Sequence, residues 1–116
     1  MIIFLFYKKF TYIRRATLAT TFEQSGSILT VKPEGRIDTK TSPILESDIQ
    51  KYIDSTDNMI LDFTNVDYIS SAGMRALLAL HKKLNKKGGT FKVINVKDSI
   101  LDIFNLVGFS NMVEVN

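Results

Sequence analysis

Apolar positions along the chain change their period several times, and each change marks an element. Residues 2–6 read Ile-Ile-Phe-Leu-Phe; after Lys8 and Lys9, Phe10, Tyr12 and Ile13 alternate with polar neighbours, a pattern suited to an added edge strand. Ala16 to Phe22 and Ser27 to Val31 read as two strands joined by the four-residue turn Glu23-Gln24-Ser25-Gly26, in which Gly26 can take a positive φ, so an antiparallel hairpin is predicted. Ser42 offers an N-cap hydroxyl and Pro43 suits the first helical position; Ile44, Leu45, Ile49, Tyr52 and Ile53 follow at helical spacing and predict a helix from about Pro43 to Ser55. Met59 to Phe63 is too short for a helix and reads as a buried strand. A second helix runs from about Ser71 to Lys86, with Met74, Leu77, Leu78 and Leu84 on one stripe and Gly88-Gly89 as its stop. Phe91 to Val96 is a strand, Asp98 or Ser99 caps a third helix that ends at Gly108, and Met112 to Val115 is the last strand.

In order, the elements are β-β-α-β-α-β-α-β with short connections. Strands alternating with helices imply right-handed crossovers. The expected fold is therefore α/β, a mixed and mainly parallel sheet of about five strands with three or more helices and an antiparallel first strand at an edge. A chain of 116 residues holds one domain of ordinary size, whose core buries roughly two thirds of the unfolded surface without a metal or disulfide staple. No internal repeat or linker interrupts it.

Charge refines this picture in one place. The net charge of +3 is unevenly divided: residues 1–16 hold Lys8, Lys9, Arg14 and Arg15 and no acid, leaving 11 basic and 12 acidic residues for the rest. Residues 1–16 are therefore set apart as an N-terminal extension and residues 17–116 as the domain. A nucleic-acid module carries its positive charge on the folded body, so nucleic acid is not the expected partner. The extension places its apolar run before its cations, the reverse of a secretory signal, and is too short to span a bilayer. Three readings of it stand open: an ordered strand or helix packed on the domain, a flexible or mis-started extension, and a weak membrane-surface anchor. With no other targeting signal, a cytoplasmic protein without an integral membrane segment is expected. The absence of cysteine excludes a disulfide scaffold, thiol catalysis and thiolate metal sites.

In open α/β sheets, functional loops lie beyond the carboxyl ends of the strands. Two such loops stand out: Gly35-Arg36-Ile37-Asp38-Thr39 before the first helix, and Asp67 to Arg75 before the second. In the latter, Ser70 is placed as N-cap, and Ser71, Ala72 and Gly73 form the first helical turn. Small residues there leave the backbone bare to an approaching surface. The free N–H groups and the positive end of the helix dipole favour negative charge, so a hydroxyl at this point can accept a phosphoryl group with little internal disruption. Both serines serve equally well as plain caps. Enzyme readings fare worse: Gly-x-Ser-x-Gly is absent, Ser71 has no evident base, His81 lies mid-helix, and there is no Gly-rich phosphate loop or metal-ligating cluster. Neither a catalytic activity, a cofactor nor a metal is expected. Lys82, Lys83, Lys86 and Lys87 read either as a solvated face matched to the negative end of the helix dipole or as a docking patch.

The stretch from Leu61 to Leu78, Leu-Asp-Phe-Thr-Asn-Val-Asp-Tyr-Ile-Ser-Ser-Ala-Gly-Met-Arg-Ala-Leu-Leu, resembles the signature of STAS domains, the family of bacterial anti-sigma factor antagonists. Gly35 to Thr39 with Ser42-Pro43 resembles the family's other signature, at matching spacing. The likeness covers roughly residues 18 to 116 and implies a single STAS-like domain. It also implies a partner switch. The unphosphorylated antagonist binds an anti-sigma factor that is also a serine kinase, and so frees a sigma factor. Phosphorylation at the start of the second helix breaks the complex, and a PP2C-type phosphatase restores it.

Well-studied members of the family read Asp-Ser-Ser/Thr-Gly here, with the second hydroxyl residue as acceptor. Aligned on Gly73, this chain holds Ala72 at that position, so the resemblance carries the acceptor role to Ser71, with Ser70 as second choice. Asp38 matches a loop residue beside the site, where it positions the hydroxyl, contacts the partner, or caps the turn before the first helix. The partner-binding set is then Asp38, Thr39, Ser70, Ser71, Ala72, Gly73, Met74 and Arg75. Under an alternative reading the chain is a non-catalytic STAS subunit of an ABC-type lipid-transport complex, its loop docked on an ATPase or permease with no kinase involved. A bulky residue at Gly73 is expected to weaken partner binding and leave the domain folded, whereas Leu77→Ala is expected to truncate the core.

Overall fold

A two-residue turn, Gly26-Ser27, closes the hairpin, with Ser25 opposite Ile28 and Gly26 at φ 59°. The turn is shorter than the four residues expected, because a glycine at positive φ permits the tight connection whose twist matches the flanking strands. The computed structural model describes the backbone of residues 7–13 and all of residues 19–116. Tyr7–Ile13 (β1) pairs antiparallel with Ala19–Ser25 (β2), which pairs antiparallel with Ile28–Ile37 (β3). Over 7–13, then, the edge-strand reading is the one observed. The apolar run 2–6, Arg14, Arg15, the strand start at Ala16 and the boundary between residues 16 and 17 lie outside the described residues.

Beyond the hairpin come Ser42–Gln50 (α1), Asn58–Asp62 (β4), Asn65–Ile69 (β5), Ser71–Lys86 (α2), Thr90–Ile94 (β6), Asp98–Leu106 (α3) and Glu114–Val115 (β7). Among the described residues the sheet has seven strands in the order β1-β2-β3-β4-β6-β7, with β5 also paired to β3. The two strands beyond the expected five are β1 and β5. The long β3 pairs in parallel with β4 over Ile28–Val31 and with β5 over Glu34–Ile37, so one strand serves two shorter partners. Asp62 fixes the jog between them: its Oδ1 accepts hydrogen bonds from the Thr64 N–H at 3.0 Å and from Asn95 Nδ2 at 3.0 Å, tying β4 to the end of β6.

The crossovers from β3 to β4, β5 to β6 and β6 to β7 all step in one direction. Right-handed connections therefore place the three helices on one face of the sheet. The strand residues agree, since Leu29, Val31, Met59, Leu61, Phe91 and Val93 are buried while Thr30, Ile60 and Lys92 between them are not. The helices contribute Leu45, Ile49, Leu77, Leu80, Leu84 and Phe104 to this core, and Phe104 stacks on Phe109 with ring centroids 4.3 Å apart.

Three helix boundaries differ from expectation. α1 ends at Gln50, because Thr56 Oγ1 and Ser55 Oγ donate to the Tyr52 carbonyl and hold a separate 3-10 turn over Ile53–Ser55. Its N-cap is Thr41 in place of Ser42, which is buried as the first helical residue. Likewise Lys97 occupies the N-cap position of α3, its ammonium drawn to Asp67 at 2.7 Å.

Candidate functional site

β3 and β5 run parallel with Ile37 opposite Ile69, so the residues that leave them, Asp38 and Ser70, emerge side by side at the carboxyl edge of the sheet. The Ser70 N–H donates to the Ile37 carbonyl at 2.8 Å and closes this junction. The two loops singled out in the sequence thus meet. Both are shorter than expected, because the strand expected to end at Val31 continues through Gly35, Arg36 and Ile37 as β3, and Asp67, Tyr68 and Ile69 belong to β5.

Ser70 adopts extended backbone and caps α2: its Oγ accepts the Gly73 N–H at 3.1 Å, and its carbonyl accepts the Met74 N–H at 2.9 Å. Its hydroxyl is half-buried and engaged. Ser71, the first helical residue, is exposed, and its hydroxyl has no hydrogen-bond partner among the described residues. One of the two serines therefore holds the helix and the other faces outward. Thr39 and Arg75 are exposed as well, with Ala72 and Met74 half-buried beside them.

Gly73 departs from expectation. It is buried, and a Cβ built on it would lie 2.7 Å from Ile69 Cγ1, 2.9 Å from Ile37 Cγ2 and 2.9 Å from the Ile37 carbonyl oxygen. Its missing side chain faces the interior and lets α2 start directly over the β3–β5 junction. A bulky residue there disturbs the fold, contrary to the sequence expectation, and Gly73 is not part of an exposed contact surface. Gly73→Ala is expected to lower the unfolding free energy by about 1–3 kcal/mol through overpacking, read as a drop in urea midpoint. An unchanged midpoint would contradict the close approach.

Asp38 Oδ1 accepts the N–H groups of Lys40 and Thr41, both at 3.0 Å, while Thr41 Oγ1 donates to the Arg36 carbonyl at 2.6 Å and accepts the Asp38 N–H at 2.8 Å. Of the roles expected for Asp38, capping the turn before α1 is the one with hydrogen bonds behind it. Those bonds, from Thr41 first and Lys40 second, hold its carboxyl below the ordinary range, and Arg36 adds attraction. Burial acts to raise Asp62, but the hydrogen bonds from Thr64 and Asn95 outweigh it and leave that carboxyl lowered too. A lowered folded-state pKa gives stability that is present above the unfolded value and is lost as pH falls through the folded value. The urea midpoint is therefore expected to drop as pH falls below about 5, and to drop less in Asp62→Asn. Equal slopes in both proteins would remove Asp62 from that account.

Two residues of these loops lie outside the expected partner-binding set. Arg36 and Tyr68 face each other across the β3–β5 ladder, next to a register shift that leaves Asp67 without a β3 partner, and the Arg36 guanidinium carbon sits 4.1 Å from the Tyr68 ring centroid. Arg36 Nε also lies 3.9 Å from Asp38 Oδ2. The available signal is the alternation of Val66, Asp67 and Tyr68 ahead of Ile69 at the end of a short strand, which is too brief to stand apart from the loop in sequence. His81 sits ten positions along α2 from Ser71, with its ring 6.0 Å from that of Phe91. Ten helical residues span about 15 Å, too far for it to act on the Ser71 hydroxyl. Among the described residues no group of three or more acidic or histidine side chains could hold a metal, and no helix is long and apolar enough to cross a membrane.

Comparison with known proteins gives a consistent picture. The family model described as STAS domain matches residues 19–116. An anti-sigma-B factor antagonist of Staphylococcus aureus is 29% identical over 87 residues, 74% of this chain and 81% of that protein. The anti-sigma-B factor antagonist of Bacillus subtilis is 20% identical over 94 residues, 81% of this chain and 86% of its own length. The crystal structure of an anti-sigma factor antagonist from Mycobacterium paratuberculosis superposes with a TM-score of 0.77 at 26% identity, covering 90% of this chain and 89% of that one.

Proposed function

The chain belongs to the STAS domain family, and from that premise we propose that it is an anti-sigma factor antagonist, a binding module with no catalytic activity of its own. It engages an anti-sigma factor that is also a serine kinase, in the cytoplasm, and so controls the release of a sigma factor. The observation that carries this reading is the pairing of the two signature loops at one sheet edge, with an exposed, unengaged Ser71 hydroxyl at the head of α2. Ser71 is the phosphoacceptor in this scheme, and Ser70 stands second because its hydroxyl caps the helix. A PP2C-type phosphatase reverses the modification. Asp38 shapes the adjoining turn, while Thr39, Ala72, Met74 and Arg75 supply the surface around the serine.

The direct test mixes the protein with its cognate switch kinase and ATP and maps the modified residue by mass spectrometry. Modification at Ser71 is the expected result. No modification, with binding indifferent to Ser71→Asp, would defeat the switch.

One observation favours a second reading. Ala72 occupies the position where the family's acceptor hydroxyl stands in its well-studied members. A non-catalytic subunit of an ABC-type lipid-transport complex needs no acceptor, and it would bind a transporter ATPase or permease without being phosphorylated.

A further inference from the structure

The exposed side of α2 carries more than the serine. At 100° per residue, Ser71, Arg75, Lys82 and Lys86 fall within an arc of about 60°, a stripe about 22 Å long, opposite the buried Ala76, Leu77, Leu80 and Leu84. The half-buried Leu78 and Ala79 flank the stripe, each about 20° outside it, and Leu78 packs against the core. Arg75, Lys82 and Lys86 are exposed and have no ion-pair partner among the described residues. Their neighbours Lys83 and Lys87 turn aside to the α1 region, Lys83 to Gln50 and Lys87 to the Ile53 carbonyl at 2.8 Å, where Glu46 also lines the groove between the helices. No acid occurs anywhere between Asp67 and Asp98. Helix-dipole matching accounts for cations in the last turn of α2, yet not for Arg75 in its second turn.

We propose that this stripe is the docking surface of α2 for an acidic face of the partner protein, with Ser71 at its head. The proposal rests on the reading of the chain as an anti-sigma factor antagonist and states what chemistry its partner presents. A single file of cations fits a protein ridge better than the broad charged face that nucleic acid or an anionic membrane selects. The stripe also gives phosphorylation a second effect. A phosphate on Ser71 stands one helical turn from Arg75, so it neutralises the nearest cation and opposes the partner's acids.

The probe is the set of purified serine-kinase anti-sigma factors of the organism that carries this gene, each titrated by calorimetry against the full chain. For the one that binds, dissociation constants are measured at about 50 mM and about 300 mM salt and are expected to differ about tenfold. The pair Lys82→Glu with Lys86→Glu is expected to weaken binding about thirtyfold. Lys86→Glu alone is expected to weaken binding about fivefold more than Lys40→Glu, an exposed lysine off the stripe. Undiminished binding of the double variant, alongside loss of binding on Ser71→Asp, would overturn the stripe and leave the switch intact. Failure of every anti-sigma factor to bind the unmodified protein would instead defeat the antagonist reading and this proposal with it. Tighter, Lys82- and Lys86-dependent binding of a 20-base-pair duplex or of phosphatidylglycerol vesicles would reassign the stripe to those partners.

Discussion

Phosphoserine at position 71 is expected to weaken binding of the anti-sigma factor by about a hundredfold or more, a loss of about 2.7 kcal/mol. The modification adds about −1.5 to −2 charges to an exposed hydroxyl at the rim of a contact. The dipole of α2 returns only about 0.3–1 kcal/mol to such a charge, so the desolvation and repulsion at the interface decide the outcome. Within the domain the dianion displaces nothing, since Ser71 is exposed and its hydroxyl is unengaged. The thermal midpoint should therefore hardly move while the dissociation constant does. Calorimetry on protein carrying phosphoserine at 71, with Ser71→Ala as the form that binds but no longer switches, checks both halves. Equal affinity of the phosphorylated and unmodified forms would sink the idea. Ser70 separates cleanly from this behaviour: removing its hydroxyl in Ser70→Ala costs the cap, about 0.5–2 kcal/mol of stability.

The opposite side of the same helix responds in the opposite way. Leu77 is 0% exposed within the core cluster, and Leu77→Ala is expected to lower the unfolding free energy by about 2–5 kcal/mol. Against the 5–15 kcal/mol typical of a domain, that loss is read easily as a fall in urea midpoint. The protein that remains folded should still bind the anti-sigma factor with near-native affinity, because Leu77 points away from the exposed stripe. A change below about 1 kcal/mol would mean that the cavity collapses or that this face is not sealed. Together, Ser71 and Leu77 divide α2 into a side that sets association and a side that sets stability.

How much of this was readable beforehand differs by element. The bounds of α2, Ser71 and Lys86, follow from Ser70 as cap and from the diglycine stop, and both devices act within a few residues of the ends they define. The same local chemistry gives Gly26 its positive φ, and Gly108, expected only as a helix stop, takes one as well. β5 escaped notice because Asn65–Ile69 has two polar residues among five, and its pairing partner lies some thirty positions earlier on β3. α1 was drawn too long because Tyr52 and Ile53 keep the helical period, while the hydroxyls of Ser55 and Thr56 that end it act through side-chain bonds that periodicity does not record.

At the candidate site the division is sharper. Sequence alone determined which two segments hold the candidate residues, that a serine heads an amphipathic helix, and that the charge of the extension differs from that of the domain, because these depend on residue type and spacing. Only the tertiary structure decided which way each residue faces. It set Asp38 beside Ser70 through the parallel pairing of Ile37 with Ile69, turned the bare flank of Gly73 inward onto Ile37 and Ile69, and left the Ser71 hydroxyl outside. Orientation of that kind is a property of long-range contact, and a one-dimensional pattern carries period without direction.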